Sequence, residues 1–302
     1  MKFGTVALIG KSNVGKSTFI NKVLDLKLSI TSSKVQTTRN MITGIYNDDD
    51  SQIVFYDTPG IYRTMNKMNV EMMKETRRSL NNSDLILYFI NSYDRINETD
   101  LKIMKTIKES ETPCILIVNK ADLIEDEEEF FSRLEDFKKA YDFKARFAIS
   151  ALNGSNVNEL INDIKGYLDD GEPLYDPDLF TDRPVRFIVS EYIREKVVNL
   201  THEEVPHSIT CVIDEFKEED DIIRIYASII CDKESQKPII IGKGGNMIKR
   251  IGTEARVDIE NLLMTKVYLE LFVKVREGWR DKDVLLKNYG LLKEDSDEWM
   301  KV

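Results

Sequence analysis

The sequence predicts a two-domain α/β protein, in which a mostly parallel sheet with helices on both faces precedes a smaller α+β domain. Within residues 5–168, short apolar runs alternate with amphipathic stretches of helical length, as in a parallel sheet covered on both faces. A proline-containing acidic segment then interrupts the alternation. At 302 residues the chain is long enough for two domains of ordinary size. We therefore assign 1–170 to the first domain, 171–182 to a linker, and 183–302 to the second domain with a C-terminal helix.

The first apolar run, residues 5–9, leads into residues 10–17, GKSNVGKS, a complete G-x-x-x-x-G-K-[ST] motif. In such a loop the glycines let backbone N–H groups turn toward phosphates, Lys16 supplies positive charge, and the Ser17 hydroxyl can hold Mg²⁺. A helix should begin here, with the positive end of its dipole facing the anion. The alternative is a plain Gly/Ser turn. The motif predicts a nucleoside triphosphate site made by Gly10, Asn13, Val14, Gly15, Lys16, Ser17 and Thr18.

A second motif, Asp57-Thr58-Pro59-Gly60, follows the strand-like run 52–56. A carboxylate at the C-terminal end of a strand can hold the water shell of a metal ion, and Gly60 allows close approach to a terminal phosphate. This D-x-x-G pattern is weak by itself. It gains weight from its position, one hairpin after a polar loop, 29–40, that carries Thr37 and Thr38.

The third motif, Asn119-Lys120-Ala121-Asp122, follows the apolar run 114–118. The Asp122 carboxylate can accept hydrogen bonds from the N1–H and the exocyclic amine of guanine, a pair of donors that adenine does not present. The alternative is a turn that caps the glutamate-rich helix expected at 126–140. After a further strand-like run come Ser150, Ala151 and Leu152, whose backbone amides could reach the guanine carbonyl.

In the second domain, Gly242-Lys243-Gly244-Gly245 matches the GXXG turn of KH domains, where bare glycines let a single-stranded RNA backbone approach closely. The four-residue pattern alone is common by chance. However, residues 233–256 carry a net charge of +4 inside a second domain of net charge −6, which favours a phosphate-binding groove. We expect Lys249 and Arg250 to contribute to it. The alternative is a glycine C-cap between packed helices, with solvated lysines.

Composition limits the other classes of function. The net charge of −10 argues against indiscriminate nucleic-acid binding, so an RNA site must be a local patch. The three cysteines are odd in number, lie in apolar runs and have no metal-ligand spacing with the two histidines, which predicts reduced structural thiols and no zinc site. No apolar run reaches the length of a membrane span, and the first strand leaves no room for a leader peptide, so we expect a cytoplasmic protein.

The motifs together resemble those of known families. In order, residues 5–168 are similar to the guanine-nucleotide-binding domain of translation-factor-class GTPases, through GKSNVGKS, QTTR, DTPG, NKAD and SAL. With the segments PLYDPDLFTDRPVRFIVSEYIREK, HEEVPHSI and IIIGKGGNMIKRIGTEARVDIE, almost the whole chain resembles the Era family of bacterial GTPases. The expected fold is a P-loop GTPase domain followed by an α+β type II KH domain.

This resemblance implies a switch that hydrolyses GTP to GDP and phosphate, with Lys16, Thr38 and Gly60 as catalytic residues. It implies that Thr38 ligates Mg²⁺ when the γ-phosphate is present, and that hydrolysis releases the Thr38 loop. The implied partners are the 3′ end of small-subunit ribosomal RNA and the precursor of the small ribosomal subunit, whose maturation the protein would assist. Peripheral membrane association is implied as well, although the negative net charge and the lack of a lipidation signal argue against it. We expect a monomer.

The catalytic machinery departs from that of many small GTPases, because Ile61 follows Gly60 where a glutamine would orient the attacking water. Isoleucine cannot do this. The resemblance implies that Asn13, with Thr37, binds a K⁺ ion in place of an arginine finger, so turnover should be slow and stimulated by K⁺, RNA or both. Arg39 and Arg63 are alternative fingers.

Other functions remain open at this point. One is an RNA-binding assembly module in which the nucleotide is mainly structural, and another is a related ribosome-associated GTPase with a different RNA target. A third is a P-loop ATPase or small-molecule kinase, for which Asn119 and Asp122 should be irrelevant.

Overall fold

The structure is a computed structural model that describes residues 1–32, 34, 38–60 and 66–292. Its contacts divide the chain into two compact units. The first comprises Met1–Thr31, Thr38–Arg63 and Met73–Arg183, and the second Ser32–Thr37, Thr64–Met72 and Pro184–Val302.

In the described part of the first unit, seven strands form one sheet. They are β1 (Lys2–Gly10), β2 (Ile42–Asn47), β3 (Ser51–Asp57), β4 (Leu85–Asn91), β5 (Cys114–Asn119), β6 (Ala145–Ala148) and β7 (Asp169–Asp170). The order is β2-β3-β1-β4-β5-β6, and β7 pairs with β1. From β3 to β6 every neighbouring pair is parallel, whereas β2 forms an antiparallel hairpin with β3 and β7 runs antiparallel to β1. The predicted mostly parallel sheet is therefore confirmed.

Helices cover both faces of this sheet. They are α1 (Lys16–Leu24), α2 (Lys67–Asn81), which belongs to this unit from Met73 onward, α3 (Glu98–Ser110), α4 (Glu127–Ala140) and α5 (Val157–Lys165). On one face, Phe19 of α1 packs its ring against Phe89 of β4, with centroids 5.4 Å apart. The neighbouring residue Tyr88 points to the opposite face, because side chains alternate along a strand, and there it shares a core with Ile103 and Met104 of α3.

The carboxyl ends of β1, β3, β4 and β5 meet at one edge of the sheet, because these strands are parallel. They end at Gly10, Asp57, Asn91 and Asn119, so three of the predicted motifs start at the same edge. In open α/β sheets this edge is where ligands bind.

The predicted linker lies against the first unit along β2 and β3. The Ile45 amide donates to the Phe180 carbonyl at 2.9 Å. The buried Gln52 side chain donates to the Tyr175 carbonyl at 2.9 Å and accepts from the Leu174 and Tyr175 amides at 2.8 and 3.0 Å. The Ile45 contact gives a partner to a backbone group of the edge strand β2, which would otherwise be free to pair with another chain, and Gln52 of β3 holds the segment beside it.

Apart from the short helices Val205–Ser208 and Asp283–Asn288, the second unit has the helix–strand–strand–helix–helix–strand order of the predicted type II KH domain. Its elements are α6 (Val185–Leu200), α7 (Val205–Ser208), β8 (Ile209–Glu218), β9 (Ile223–Cys231), α8 (Lys237–Ile241), α9 (Asn246–Leu263), β10 (Val267–Val275) and α10 (Asp283–Asn288). The sheet order is β10-β9-β8, with β10 parallel and β8 antiparallel to β9. Alternate residues of β9 are fully buried beneath the helices, among them Ile225, Ala227 and Ile229.

Two general features of the described residues concern membranes and metals. None of the helices in the described ranges is long and apolar enough to cross a bilayer. Within the same ranges, no three His, Cys, Asp or Glu side chains cluster to hold a metal ion, and Cys114, Cys211 and Cys231 are free and buried.

The C-terminal tail is described as far as residue 292. It contains α10, in which Leu286 is buried, and residues 293–302 lie outside the described part.

Candidate nucleotide and RNA sites

The phosphate loop connects β1 to α1 in a shape that requires glycine at position 15. Gly15 has a φ of 93°, and a Cβ there would lie 2.1 Å from Asn119 Nδ2. It occupies the N-cap position of α1, where it offers no side-chain cap, and the first turn of α1 contains no acidic residue. The first N–H groups of α1 therefore have no side-chain acceptor at the cap and are suited to an anion.

Lys16 is buried beside this loop, with 6% of its surface exposed. Its ammonium donates to the Gly10 carbonyl at 3.3 Å and to the Lys11 carbonyl at 3.2 Å. Burial lowers the pKa of Lys16 from 10.5 to about 8, and the nearby Asp57 carboxylate partly opposes this shift. A phosphate at the loop would favour the charged form of the lysine.

Three side-chain oxygens come together next to Lys16. The Ser17 hydroxyl donates to Asp57 Oδ2 at 2.7 Å and lies 3.1 Å from Thr38 Oγ1. Asp57 is fully buried, burial raises the pKa of its carboxyl, and its Oδ1 atom has no hydrogen-bond partner among the described residues. Hydroxyl and carboxylate oxygens are the ligands that Mg²⁺ prefers, so this arrangement fits the ion.

The D-x-x-G glycine lies directly against the phosphate loop. A Cβ on Gly60 would lie 2.9 Å from Ser12 Oγ and 3.0 Å from the Ser12 amide nitrogen. Thr58 anchors the motif by donating to the Leu8 carbonyl at 2.6 Å. Three residues discussed in the sequence analysis lie outside the described residues. They are Thr37, the predicted K⁺ ligand, Ile61, which follows Gly60, and Arg63, an alternative arginine finger.

Asn119 joins the phosphate loop to the two loops predicted to hold the base. Its Nδ2 donates to the Val14 carbonyl at 2.8 Å, and its Oδ1 accepts from the Ala151 amide at 2.9 Å. Ser150 is buried, whereas Leu152 is 79% exposed. The N-x-x-D and S-A-L segments therefore lie side by side, next to Gly15.

Asp122 is exposed and lies in the short turn Ala121–Leu123. It does not cap the following helix: Asp126 is the N-cap residue of α4 and accepts from the Glu129 amide at 2.9 Å. The alternative interpretation of Asp122 as a helix cap is thus wrong. Its carboxylate remains accessible to a ligand beside Asn119.

The glycine-rich turn between α8 and α9 has two different roles. Gly242 has a φ of 74°, and a Cβ there would lie 2.7 Å from the Met247 amide nitrogen, so this glycine is needed for packing. Gly244 and Gly245 also have positive φ values, 62° and 79°, but nothing lies within 4 Å of a Cβ at either position. The side of the turn formed by these two glycines is open to an approaching backbone.

Next to this turn, a groove of about 480 Å³ runs between α9 and β10. Its lining consists of Ile248, Lys249, Gly252, Thr253, Arg256, Leu269, Glu270 and Leu271. Of the two predicted basic residues on α9, Lys249 belongs to this lining and Arg250 does not; Arg250 pairs with Glu254 at 2.8 Å. Sequence reasoning counted Arg256 in the basic segment 233–256 but did not name it as a binding residue, although its position seven residues after Lys249 places both on one helical face.

Comparison with known proteins identifies the family of this chain. The family model for 50S ribosome-binding GTPases matches residues 5–120, and the model for KH domains matches residues 204–280. A solved structure of Era in complex with MgGDPNP and nucleotides 1506–1542 of 16S ribosomal RNA is 40% identical to this chain, with a TM-score of 0.94. The similarity covers 97% of this chain and 100% of that one. The chain belongs to the Era family.

A second Era structure, a point variant from Aquifex aeolicus bound to GDP and AlF₄⁻, is 39% identical over the same shares of both chains, again with a TM-score of 0.94. As a member of the Era family, this chain is a GTPase with a KH domain. The predicted family, fold class and enzyme class are therefore confirmed, and the ATPase and small-molecule kinase alternatives are wrong.

Proposed function

We propose that this protein binds GTP and Mg²⁺ at the edge of the first sheet, hydrolyses GTP to GDP and phosphate, and binds the 3′ end of small-subunit ribosomal RNA. In this role it assists maturation of the precursor small ribosomal subunit. The observation that carries the nucleotide site is the bridge made by Asn119, which holds the phosphate loop and the S-A-L loop together beside the accessible Asp122. The 40% identity to an Era that was solved with 16S ribosomal RNA supports the RNA partner.

The base is proposed to lie between Asn119, Asp122 and the segment Ser150–Leu152. Asp122 accepts from the guanine N1–H and the exocyclic amine, and backbone amides of the S-A-L segment donate to the guanine carbonyl. Adenine would leave the carboxylate unpaired, and a polar site left unpaired is strongly unfavourable.

The phosphates are proposed to occupy the loop from Gly10 to Thr18. The backbone amides of this loop and Lys16 bind the β- and γ-phosphate oxygens, and Gly60 approaches the γ-phosphate closely. Ser17 and Thr38 would hold Mg²⁺, and Asp57 was predicted to reach the ion through water; the three side chains lie together in the structure. When bound, Mg²⁺ neutralises charge that develops on the phosphate oxygens.

The protein's own groups are proposed to position and stabilise the transferring phosphoryl group, and we assign no side-chain base among the described residues. We propose that Asn13 and Thr37 bind K⁺, whose charge would take the place of an arginine finger. A cation supplied at this position is worth about 10³- to 10⁵-fold in rate. Turnover without K⁺ or RNA should be slow.

The RNA is proposed to bind along the α9–β10 groove, with its backbone against Gly242–Gly245 and Lys243, and with phosphates near Lys249 and Arg256. Arg250 was predicted to take part, and we assign it a place at the rim of this surface.

The domains are proposed to be 1–170, a connecting segment 171–182, and 183–302. We propose a cytoplasmic monomer, and the net charge of −10 opposes peripheral binding to anionic lipid.

Nucleotide specificity tests the first half of this proposal. Binding of GTP, ATP and xanthosine triphosphate is measured for the wild type, for Asp122→Asn, and for Asp142→Asn, an exposed control in the same unit. We expect wild type and control to prefer GTP over ATP by about 10⁴-fold, and Asp122→Asn to prefer xanthosine triphosphate. Equal affinity of the wild type for ATP and GTP would contradict the assignment.

RNA binding tests the second half. Gly244→Asp places a carboxylate on the open turn, and Gly290→Asp is a matched control, since Gly290 also has a positive φ, 67°, and open space around it. An oligonucleotide with the rRNA 3′-end sequence should lose affinity for the first variant only.

The rate of GTP hydrolysis is then compared in K⁺ and in Na⁺, each with and without this RNA. Hydrolysis that stays slow in every condition would favour a protein in which the nucleotide is mainly structural.

A further inference from the structure

The turn that follows β4, residues 91–94, lies beside the predicted base-binding loop, although its sequence contains no nucleotide-binding motif. Asn91, the last residue of β4, is in register with Asn119, the last residue of β5. The turn therefore starts level with the Asn119-Lys120 segment. Ser92 fixes that segment twice, because its amide donates to the Asn119 carbonyl and its hydroxyl donates to the Lys120 carbonyl, both at 2.9 Å.

Lys120 needs this support because its backbone is in the left-handed region, with a φ of 61°. Non-glycine residues keep such a conformation only where their surroundings fix it. At its other end, the Lys120 ammonium donates to the Asn13 carbonyl at 3.0 Å. Its side chain therefore spans from the base-binding loop to the phosphate loop.

Tyr93 is the second partner of that ammonium. Lys120 Nζ donates to the Tyr93 hydroxyl at 3.0 Å and lies 5.4 Å from the centroid of the Tyr93 ring. The tyrosine is 49% exposed, so it adds little to the core of the unit. These two distances place the ammonium beyond the hydroxyl and close to the plane of the ring, so the hydrogen bond is the contact through which Tyr93 holds Lys120.

The same turn also contacts the phosphate loop. Asp94 Oδ2 lies 3.3 Å from Lys11 Nζ and accepts from the Asn91 amide at 3.1 Å. Lys11 Nζ lies 3.2 Å from the fully buried Asp100 as well. Residues 91–94 thus hold both loops of the nucleotide site.

We infer that Tyr93 is a positioning residue for the nucleotide: it fixes the Lys120 side chain between the two loops and thereby slows release of guanine nucleotide. The inference rests on the proposed nucleotide site. Tyr93 acts through Lys120 and contacts no reacting atom, so it affects the residence time of GDP and GTP and leaves the preference for guanine over adenine unchanged.

The test measures the dissociation rate constant of fluorescent GDP from wild type, Tyr93→Phe and Tyr93→Ala. Tyr93→Phe keeps the ring and removes the hydroxyl, so we expect about two- to three-fold faster release. Tyr93→Ala removes the ring as well, and because the hydrogen bond is the contact to Lys120, we expect a similar increase, about two- to five-fold. Tyr167→Ala, at a partly buried tyrosine near β7, is the control and should release GDP at the wild-type rate.

A double-mutant cycle separates positioning from a general structural effect. In a Lys120→Gln background the Tyr93 substitutions should change the rate by less than about 1.5-fold, because their common partner is gone. Lys120→Met is the second background, used if Lys120→Gln does not fold, and unfolding temperatures of the ligand-free variants exclude loss of structure.

Release at the wild-type rate from both Tyr93 variants would overturn the inference, as would an equal effect with and without the Lys120 ammonium. Asp122→Asn distinguishes this failure from failure of the proposed function. If that variant changes base preference while the Tyr93 variants do nothing, only the role of Tyr93 is lost; if it leaves base preference unchanged, the nucleotide site itself is wrong.

Discussion

Gly15 and Asn119 approach each other so closely that a Cβ on the glycine would lie 2.1 Å from Asn119 Nδ2. The two residues are more than a hundred positions apart in the chain, and the same Nδ2 donates to the Val14 carbonyl at 2.8 Å. The phosphate loop and the base-binding loop are therefore built against each other. A change at Gly15 must move Asn119 or the loop, and in either case both halves of the site are affected.

Gly15→Ala tests this relationship. We expect at least about a hundred-fold loss of GDP affinity, because the methyl group displaces Asn119 and alanine is strained at a φ of 93°. Isothermal titration calorimetry provides the affinity. Gly166→Ala is the control, since a Cβ there would lie 3.2 Å from one carbonyl, in a turn remote from the motifs. Near-wild-type affinity of Gly15→Ala would show that the two loops move independently.

Because Lys16 is buried, we expect it to take up a proton when nucleotide binds, to an extent that depends on pH. Burial lowers the pKa of the ligand-free lysine to about 8, and bound phosphate should raise it again. At pH 6.5 the lysine is charged in both states, whereas at pH 8.5 binding must charge it. We expect net proton uptake on GDP binding at pH 8.5 and an affinity that falls as the pH rises through 8. Calorimetry in buffers of different ionisation enthalpy measures the uptake.

Lys16→Arg is the control for this effect, because a guanidinium stays charged throughout this pH range and should abolish the uptake. The same shift affects the ligand-free protein. The pKa of Lys16 is about 8 in the folded protein and 10.5 in the unfolded chain, so between these pH values the unfolded chain binds more protons. The free energy of unfolding of the protein should therefore rise with pH between about 8 and 10.5. Uptake of the same size in the arginine variant would assign the protons to another group.

The RNA groove predicts different contributions to RNA binding from two arginines of α9, Arg250 and Arg256. Arg256 lines the groove between α9 and β10, and Arg250 pairs with Glu254 outside that lining. Arg256→Gln should weaken binding of the rRNA 3′-end oligonucleotide and reduce the slope of log K against log salt by about 0.7, the loss of one phosphate contact on a single strand. Arg250→Gln should leave the slope nearly unchanged. Fluorescence anisotropy at several salt concentrations measures both, and the reverse order of effects would contradict the proposed path of the RNA.

The sequence predicted the family and the fold because each motif follows a buried strand and needs particular residue types within four to eight positions. It could not predict contacts between motifs that are distant in the chain, such as Asn119 with Val14 or the partners of Lys120. The turn at 91–94 was missed because Ser92 and Tyr93 become important only through the register of β4 with β5. Arg256 was counted in the basic segment but not named as a binding residue, because the groove that it lines depends on where β10 packs.

The segment 171–182 was predicted to be a linker, and its proline and acidic residues give no indication of the contacts that hold it along β3. Gln52 is fully buried there, and its side chain satisfies backbone groups of Leu174 and Tyr175. Gln52→Leu keeps the size of the side chain but leaves these backbone groups without partners. We expect a destabilisation of about 1–3 kcal/mol and fast hydrogen exchange at the Leu174 and Tyr175 amides.

Gln52→Glu is the matched variant for this prediction. Its carboxylate still accepts from both amides, so their protection against exchange should persist, while the donor to the Tyr175 carbonyl is lost. Mass spectrometry of exchanged peptides covering 172–180 distinguishes the two variants. If both variants protect these amides as well as the wild type does, contacts other than those of Gln52 hold the segment 171–182 against the sheet.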